Sequence, residues 1–239
     1  MKLDILVIAA HPDDAELGAG GAIAKSVQQG KKVGVIDLTR GEMGTRGTVD
    51  TRREESDNAA KVLGLSVRDN AELPDGFIQN SRNFQLKVIP FIRKYRPEIV
   101  LTNAIADRHP DHGKASDLVS DSCFLSGLTA LKTSVEGTAQ TEWRPKWVYH
   151  FIQDRYIRPD FILDVSSQWE VKMDAVRAYK TQFYTGKDDD GPVTPISSPE
   201  FIHALEARGR EYGRLIHAKY GEGFTAERVV GVNDFSSLL

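Results

Sequence analysis

Cysteine is almost missing from this 239-residue chain: Cys123 stands alone, which excludes an internal disulfide and a cysteine-built metal site. In the apolar-flanked segment Ser122-Cys-Phe-Leu125 a lone thiol reads as a small buried hydrophobe. Positive charge is not in excess either. Lys and Arg number 31 against 34 Asp and Glu, for a formal net charge of −3, so nothing suggests a nucleic-acid partner and a small-molecule substrate is expected. No stretch reaches the ~18 apolar residues of a membrane span. The N-terminus, where Lys2 and Asp4 flank a very short apolar run, shows no signal-peptide pattern. A cytoplasmic protein without membrane contact is the expectation. There is no internal repeat and no low-complexity linker, and 40% hydrophobic residues supply an ordinary core, so residues 1–239 are read as one domain.

What is present is an alternation of strand-like and helical segments, which predicts an α/β fold: Rossmann-like, with a mainly parallel sheet and helices on both faces. Strands are expected at residues 3–10, 32–38, 66–73, 98–102, 146–152 and 161–165. Helices are expected at 15–29, 51–63, 83–95, from 111 or 113 onward, at 171–179 and over most of 198–218, with Gly30 and Gly64 as stops. Residues 40–50 form a glycine-rich polar loop and 187–192 an exposed one. Glycines at 18, 20 and 21 let the first helix lie close to the sheet at some cost in helix propensity.

Two clusters end apolar strands. Ile5-Leu-Val-Ile-Ala-Ala10 runs into His11-Pro-Asp-Asp14, and Ile99-Val-Leu-Thr-Asn103 leads to Arg108-His-Pro-Asp-His112. Ligands in open α/β sheets gather outside the carboxyl ends of strands, so these clusters can converge. Histidine and carboxylate suit a zinc-type or ferrous ion, and His11, Asp14 and His112 provide the three ligands of a catalytic site. Asp13 is then left free to accept a proton from water, and His109 to face the reacting group. Asp111 is expected to hydrogen-bond to His109 and favour its protonated form. Taken singly each element has a plainer reading: a His-x-x-His pair is more often structural, and Asp13 with Asp14 could cap the next helix. The repeated His-Pro-Asp opening at two strand ends favours the metal site. His150, His203 and His217 stand alone and read as ordinary core or surface residues. A dinucleotide fingerprint fails because its third glycine would fall at Ile23.

The segments His11-Pro-Asp-Asp-Ala-Glu-Leu-Gly-Ala-Gly-Gly21 and His109-Pro-Asp-His112 resemble the two defining motifs of the PIG-L/LmbE family of metal-dependent N-acetylglucosamine deacetylases. Thr39-Arg-Gly-Glu-Met-Gly-Thr-Arg-Gly-Thr48, Thr51-Arg-Arg-Glu-Glu55 and Tyr220-Gly-Glu-Gly-Phe224 resemble the bacterial members that deacetylate N-acetylglucosaminyl malate in bacillithiol biosynthesis. The resemblance implies the same metal ligands (His11, Asp14, His112), Asp13 as general base and His109 as the residue stabilising the oxyanion. It implies attack of metal-activated water on the acetamide of an N-acetylated glucosaminide, releasing acetate and a free amine. Zinc is the metal implied, with ferrous iron or another divalent metal suited to the same donors, and a homo-oligomer is implied as well. Arg52 becomes the candidate for gripping the sugar or the malate carboxylate, Arg108 a second one of the same kind, and Glu42 either lines the pocket or caps its loop. The alternatives are a deacetylase for another N-acetylated sugar and a non-catalytic sugar-binding protein. The segment from Asp188 to Pro192 matches no family pattern.

Overall fold

The apolar run that closes on Ala10 forms a strand buried on both faces, and it organises everything around it. The structure is a computed structural model that describes residues 1–184 and 191–235. In chain order the first half holds β1 (Ile5–Ala9), α1 (Asp14–Gln28), β2 (Val33–Asp37), α2 (Val49–Leu63), β3 (Val67–Asn70), α3 (Arg82–Tyr95), β4 (Ile99–Thr102) and α4 (Pro110–Leu125). The second half holds the short strands β5 (Ser134–Val135) and β6 (Thr138–Ala139), then β7 (Trp147–Phe151), β8 (Phe161–Asp164), α5 (Trp169–Arg177), α6 (Pro199–Leu215) and β9 (Gly221–Ala226). Of the loop expected at 187–192, residues 187–190 lie outside the described residues.

Seven strands form one sheet in the order β3-β2-β1-β4-β7-β9-β8. The first five run parallel, with Ile8 opposite Ile36 on one side and Thr102 on the other. β9 is antiparallel to both neighbours, so the sheet is mainly parallel, as expected. One apolar cluster lies under α1, α2, α5 and α6, and a second under α3 and α4. Chain order reverses direction at β1, with β2 on one flank and β4 on the other, and such a switch opens a crevice beyond the carboxyl ends of those two strands.

β9 has no counterpart in the sequence expectation, because Gly221 and Gly223 deplete its strand signal. Its residue Glu222 explains the glycine run of α1. The Glu222 carboxylate accepts the backbone N–H groups of Gly21 (2.9 Å) and Ala22 (2.7 Å), while its partner Lys172, 2.6 Å away, donates to the carbonyl of Leu17. A buried ion pair is thereby threaded against the middle of α1. A Cβ on Gly18 would stand 2.1 Å from the Phe151 ring, and one on Gly21 2.7 Å from Val165, so no larger residue allows this approach. Helix α2 begins at Val49 rather than at residue 51: Thr48 is the cap, and Thr51 closes the reciprocal capping box from the third position. No helix among the described residues is long and apolar enough to cross a membrane.

Candidate active site

Pro12 stops β1, and the chain turns into α1 through Asp13, whose φ of 110° is unusual for a residue with a side chain. Such a conformation costs on the order of 1–3 kcal/mol and persists only where neighbours over-determine it. They do so here: Arg52 donates to the Pro12 carbonyl at 2.6 Å and lies 3.4 Å from the Asp13 carboxylate. Asp13 makes no side-chain capping bond, so its carboxylate is not spent on the helix. Across the crevice His109 caps α4, its Nδ1 accepting the Asp111 N–H at 3.2 Å, and His112 follows in the first turn. The two clusters converge. Ring centroids lie 4.6 Å apart for His11 and His109, 5.1 Å for His109 and His112, and 5.5 Å for His11 and His112.

The donor set fits a divalent cation. Nδ1 of His11 and Nε2 of His112 each stand 3.3 Å from an oxygen of Asp14, close to the roughly 3.3–3.4 Å that tetrahedral bonds of about 2.0–2.1 Å impose. Each imidazole also has its far nitrogen held. Asp107 lies 2.8 Å from Nδ1 of His112, while Asp75 (3.1 Å) and Asp111 (3.4 Å) face Nε2 of His11. Carboxylates behind the ligating histidines fix the ring orientation and raise its basicity. His11 and His112 meet Asp14 in pairs, through its Oδ2 and Oδ1 respectively, whereas two different trios, His11 with His109 and His112, and His11 with Asp75 and Asp111, bring all their donor atoms within 4.8 Å of one another. Donors of every set also accept hydrogen bonds: Asp75 from the Met43 N–H, Asp111 from Gly76 and Ile78, and Asp14 from His11, Asn103 and Gln153. It is the carboxylates behind both histidines that favour His11, Asp14 and His112.

Charge follows from burial and these contacts. Burial, only partly offset by Arg52, pushes the Asp13 carboxyl up to about 7, the range of a neutral-pH general base. Asp14 goes the other way: burial opposes its charge, but His112 and His11 pull it well below the usual carboxylate range. His109 is lowered from its ordinary value of 6.5, first by burial and then by His11 and His112. This corrects the expected role of Asp111. Its carboxylate does not meet His109; it is fully buried and ties residues 76–78 to His11, and only its backbone amide touches the His109 ring. With Nδ1 accepting, neutral His109 carries its proton on Nε2, which suits donation to an oxyanion.

A cavity of about 300 Å³ opens onto these groups, lined in part by Leu17, Met43, Gln153, Phe201, Leu205 and Arg208. Arg52 reaches its floor, yet its guanidinium is turned inward onto Pro12 and Asp13 rather than outward to a substrate. Glu42 does not line the cavity. Its carboxylate accepts the N–H groups of Asp75 and Arg40, stapling the glycine-rich loop in place. Arg108 does line the wall, half exposed and paired with Asp154, whose backbone carbonyl is held by Arg208 at 2.9 Å. The sequence reading missed Asp75, Asn103, Asp107, Gln153 and Arg208. Asn103, Asp107 and Gln153 lie just past β4 or β7, where the rule that ligands gather beyond strand ends could have found them.

Comparison with known proteins gives matches mostly to deacetylases. The profile of the family described as PIG-L, GlcNAc-PI de-N-acetylase, matches residues 6–123. The chain is 31% identical over 231 residues to the diacetylchitobiose deacetylase of Thermococcus kodakarensis, covering 92% of this chain and 81% of that protein. It is 28% identical over 198 residues to a probable N-acetyl-alpha-D-glucosaminyl L-malate deacetylase 2 of Bacillus subtilis, covering 76% and 84%. It is also 28% identical over 192 residues to a 4-oxalmesaconate hydratase of Pseudomonas putida, covering 74% and 73%. Among solved structures, the conserved protein TT1542 of Thermus thermophilus superposes with a TM-score of 0.85 at 34% identity, covering 96% of this chain and 97% of that one.

Proposed function

We propose, from the premise that this chain belongs to the PIG-L family, that it is a metal-dependent hydrolase removing the acetyl group from an N-acetylated glucosaminide, with N-acetylglucosaminyl malate as its substrate. The observation that carries the chemistry is the Asp14 carboxylate placed 3.3 Å from one nitrogen of His11 and one of His112, with Asp13 beside it. When bound there, a divalent cation supplies charge that polarises the acetamide carbonyl and acidifies water. Zinc fits two imidazoles and a carboxylate, and ferrous iron fits them too.

The chain's own residues supply the rest. Asp13 takes the proton of the attacking water, since its carboxylate stands next to the ligand Asp14 at the cavity and is not engaged as a helix cap. Nε2–H of His109 donates to the oxyanion that develops as the carbonyl carbon becomes tetrahedral. The C–N bond then breaks as the nitrogen takes up the proton that Asp13 accepted from water, and acetate and the free amine leave. The apolar wall of Leu17, Phe201 and Leu205 accepts sugar faces and limits water in the cavity.

The malate reading is supported by Arg108 and Arg208, which flank Asp154 at the cavity wall and place one positive charge in excess among those three groups. It is supported also by the Bacillus relative. The test is acetate release by enzyme of measured metal content from N-acetylglucosaminyl malate, N,N'-diacetylchitobiose and free N-acetylglucosamine. The malate conjugate should give the highest kcat/KM. Equal constants for all three would remove the malate assignment and leave the deacetylase. No acetate from any of them would remove both and favour a reaction of the kind named for the Pseudomonas relative, since hydration releases no acetate.

A further inference from the structure

We propose that Asn103 and Gln153 form an amide clamp that holds the Asp14 carboxylate in its metal-binding orientation, which makes both of them positioning residues. The inference rests on the reading of His11, Asp14 and His112 as a metal site. Asn103 lies just past β4, fully buried, and its Oδ1 accepts the Ala10 N–H at 2.8 Å. A backbone N–H can only donate, so the amide has one permitted orientation and its Nδ2 must face Asp14, 3.1 Å from Oδ2. The same nitrogen stands 3.2 Å from Oε1 of Gln153. Gln153 is thereby fixed in turn: its oxygen faces Asn103, and its nitrogen donates to Oδ1 of Asp14.

The Asp14 carboxylate therefore receives a donor on each oxygen, and the His11 N–H adds a third bond at 3.0 Å. Rotation of the carboxylate about its χ2 would break bonds on both oxygens at once. The clamp also ties together the ends of β1, β4 and β7, through Ala10, Asn103 and Gln153, so the strands that carry the two histidine clusters set the ligand angle. Behind His11 and His112 the supporting groups are carboxylates; behind Asp14 they are neutral amides, which donate to the ligand without adding or removing charge. A pair serving only to fill the core would have no reason to aim both amide nitrogens at one carboxylate.

The test uses the full chain carrying Gln153→Met, which keeps side-chain length and removes the donor. Zinc affinity is measured by chelator competition, and melting temperature is measured on the metal-free protein. Loss of an outer partner of this kind weakens metal binding about 10- to 100-fold. The expected result is a zinc Kd at least tenfold weaker than the parent's, with the metal-free melting temperature lowered by no more than about 12 °C, the effect of one donor lost from a buried carboxylate. A weakening short of tenfold overturns the clamp. So does a tenfold loss accompanied by a larger fall in the metal-free melting temperature, which marks a packing role. If the parent itself fails to bind one zinc per chain, the metal reading falls and the clamp with it. Asn103→Leu should act more strongly, but it strands the Ala10 N–H as well, so Gln153→Met decides.

Discussion

Replacing Arg52 separates two accounts of the same residue. If its guanidinium gripped an anionic substrate, Arg52→Met would penalise N-acetylglucosaminyl malate and spare a neutral acetylated sugar. The structure instead puts Arg52 against Pro12 and Asp13, 3.4 Å from the Asp13 carboxylate, where its positive charge offsets part of the burial that lifts Asp13 to about 7. Loss of an opposite charge at this range raises a carboxyl pKa by about one to three units. With the carboxyl about half ionised at pH 7, a rise of one, two or three units leaves roughly a tenth, a hundredth or a thousandth ionised, so kcat/KM should fall about 5- to 500-fold. The sign with pH follows. The base works ionised, so a raised pKa moves the acid limb of the rate profile upward, and raising the pH should restore part of the activity. The assay is kcat/KM against pH for the malate conjugate and for N,N'-diacetylchitobiose, at equal metal content. The loss should be the same factor on both substrates. A loss confined to the malate conjugate, with the acid limb unmoved, would refute the positioning account and return Arg52 to the substrate.

The part of this molecule legible in advance was the part written in short-range pattern. The unbroken apolar run of β1, the strand ahead of Asn103 and the glycines of α1 announce a parallel sheet with a close-packed first helix, and a strand-end rule brings His11 and His112 together although 101 positions separate them. Direction was not legible. Arg52 was correctly placed early in a helix beside the glycine-rich loop, but the loop folds back so that its guanidinium meets Pro12, and no local pattern encodes that turn. Asp111 was expected against His109, and Glu42 either in the pocket or capping its loop; backbone amides at residues 76 and 78 claim the first carboxylate and those at 40 and 75 the second, which is the loop role. β9 was hidden by its glycines, which the packing of Glu222 against α1 outweighs. The amide clamp joins side chains fifty positions apart, Asn103 and Gln153, and only the sheet order makes them neighbours.

Asp13→Asn should keep the fold and metal while lowering kcat by about 10² to 10⁴, measured by acetate release; activity within about threefold of the parent would remove Asp13 as the base. His109, held below 6.5, is neutral at pH 7, so a His109→Asn variant, which keeps a capping oxygen, should lose rate yet retain the alkaline limb of the parent's kcat/KM profile; disappearance of that limb would restore a protonated His109 to the mechanism. Asp107→Asn should weaken zinc binding about 10- to 100-fold, read by chelator competition, because Nδ1 of His112 loses its carboxylate; an unchanged Kd would show that the 2.8 Å contact has no bearing on the metal. Arg68→Met tests what holds α1 against the sheet. The Arg68 side chain is buried, grips Asp37 through two bonds of 2.9 Å, and also pairs with Glu16 two residues past Asp14. Removing one member of a buried pair costs about 3–5 kcal/mol, because the partner charge stays behind, and for a chain of this size that lowers the melting temperature by roughly 6–20 °C. Two stranded carboxylates are tolerated better when protonated, and burial already holds the Asp37 pKa above its ordinary value, so the deficit should deepen as pH rises and shrink as it falls. Adding Glu16→Gln and Asp37→Asn should recover part of the loss at neutral pH, since the unpaired charge is then gone. Urea unfolding at pH 5 and pH 8 reads both effects. A deficit under about 1 kcal/mol, or one that grows toward acid pH, would mean that Arg68 is not the charge keeping these two carboxylates buried.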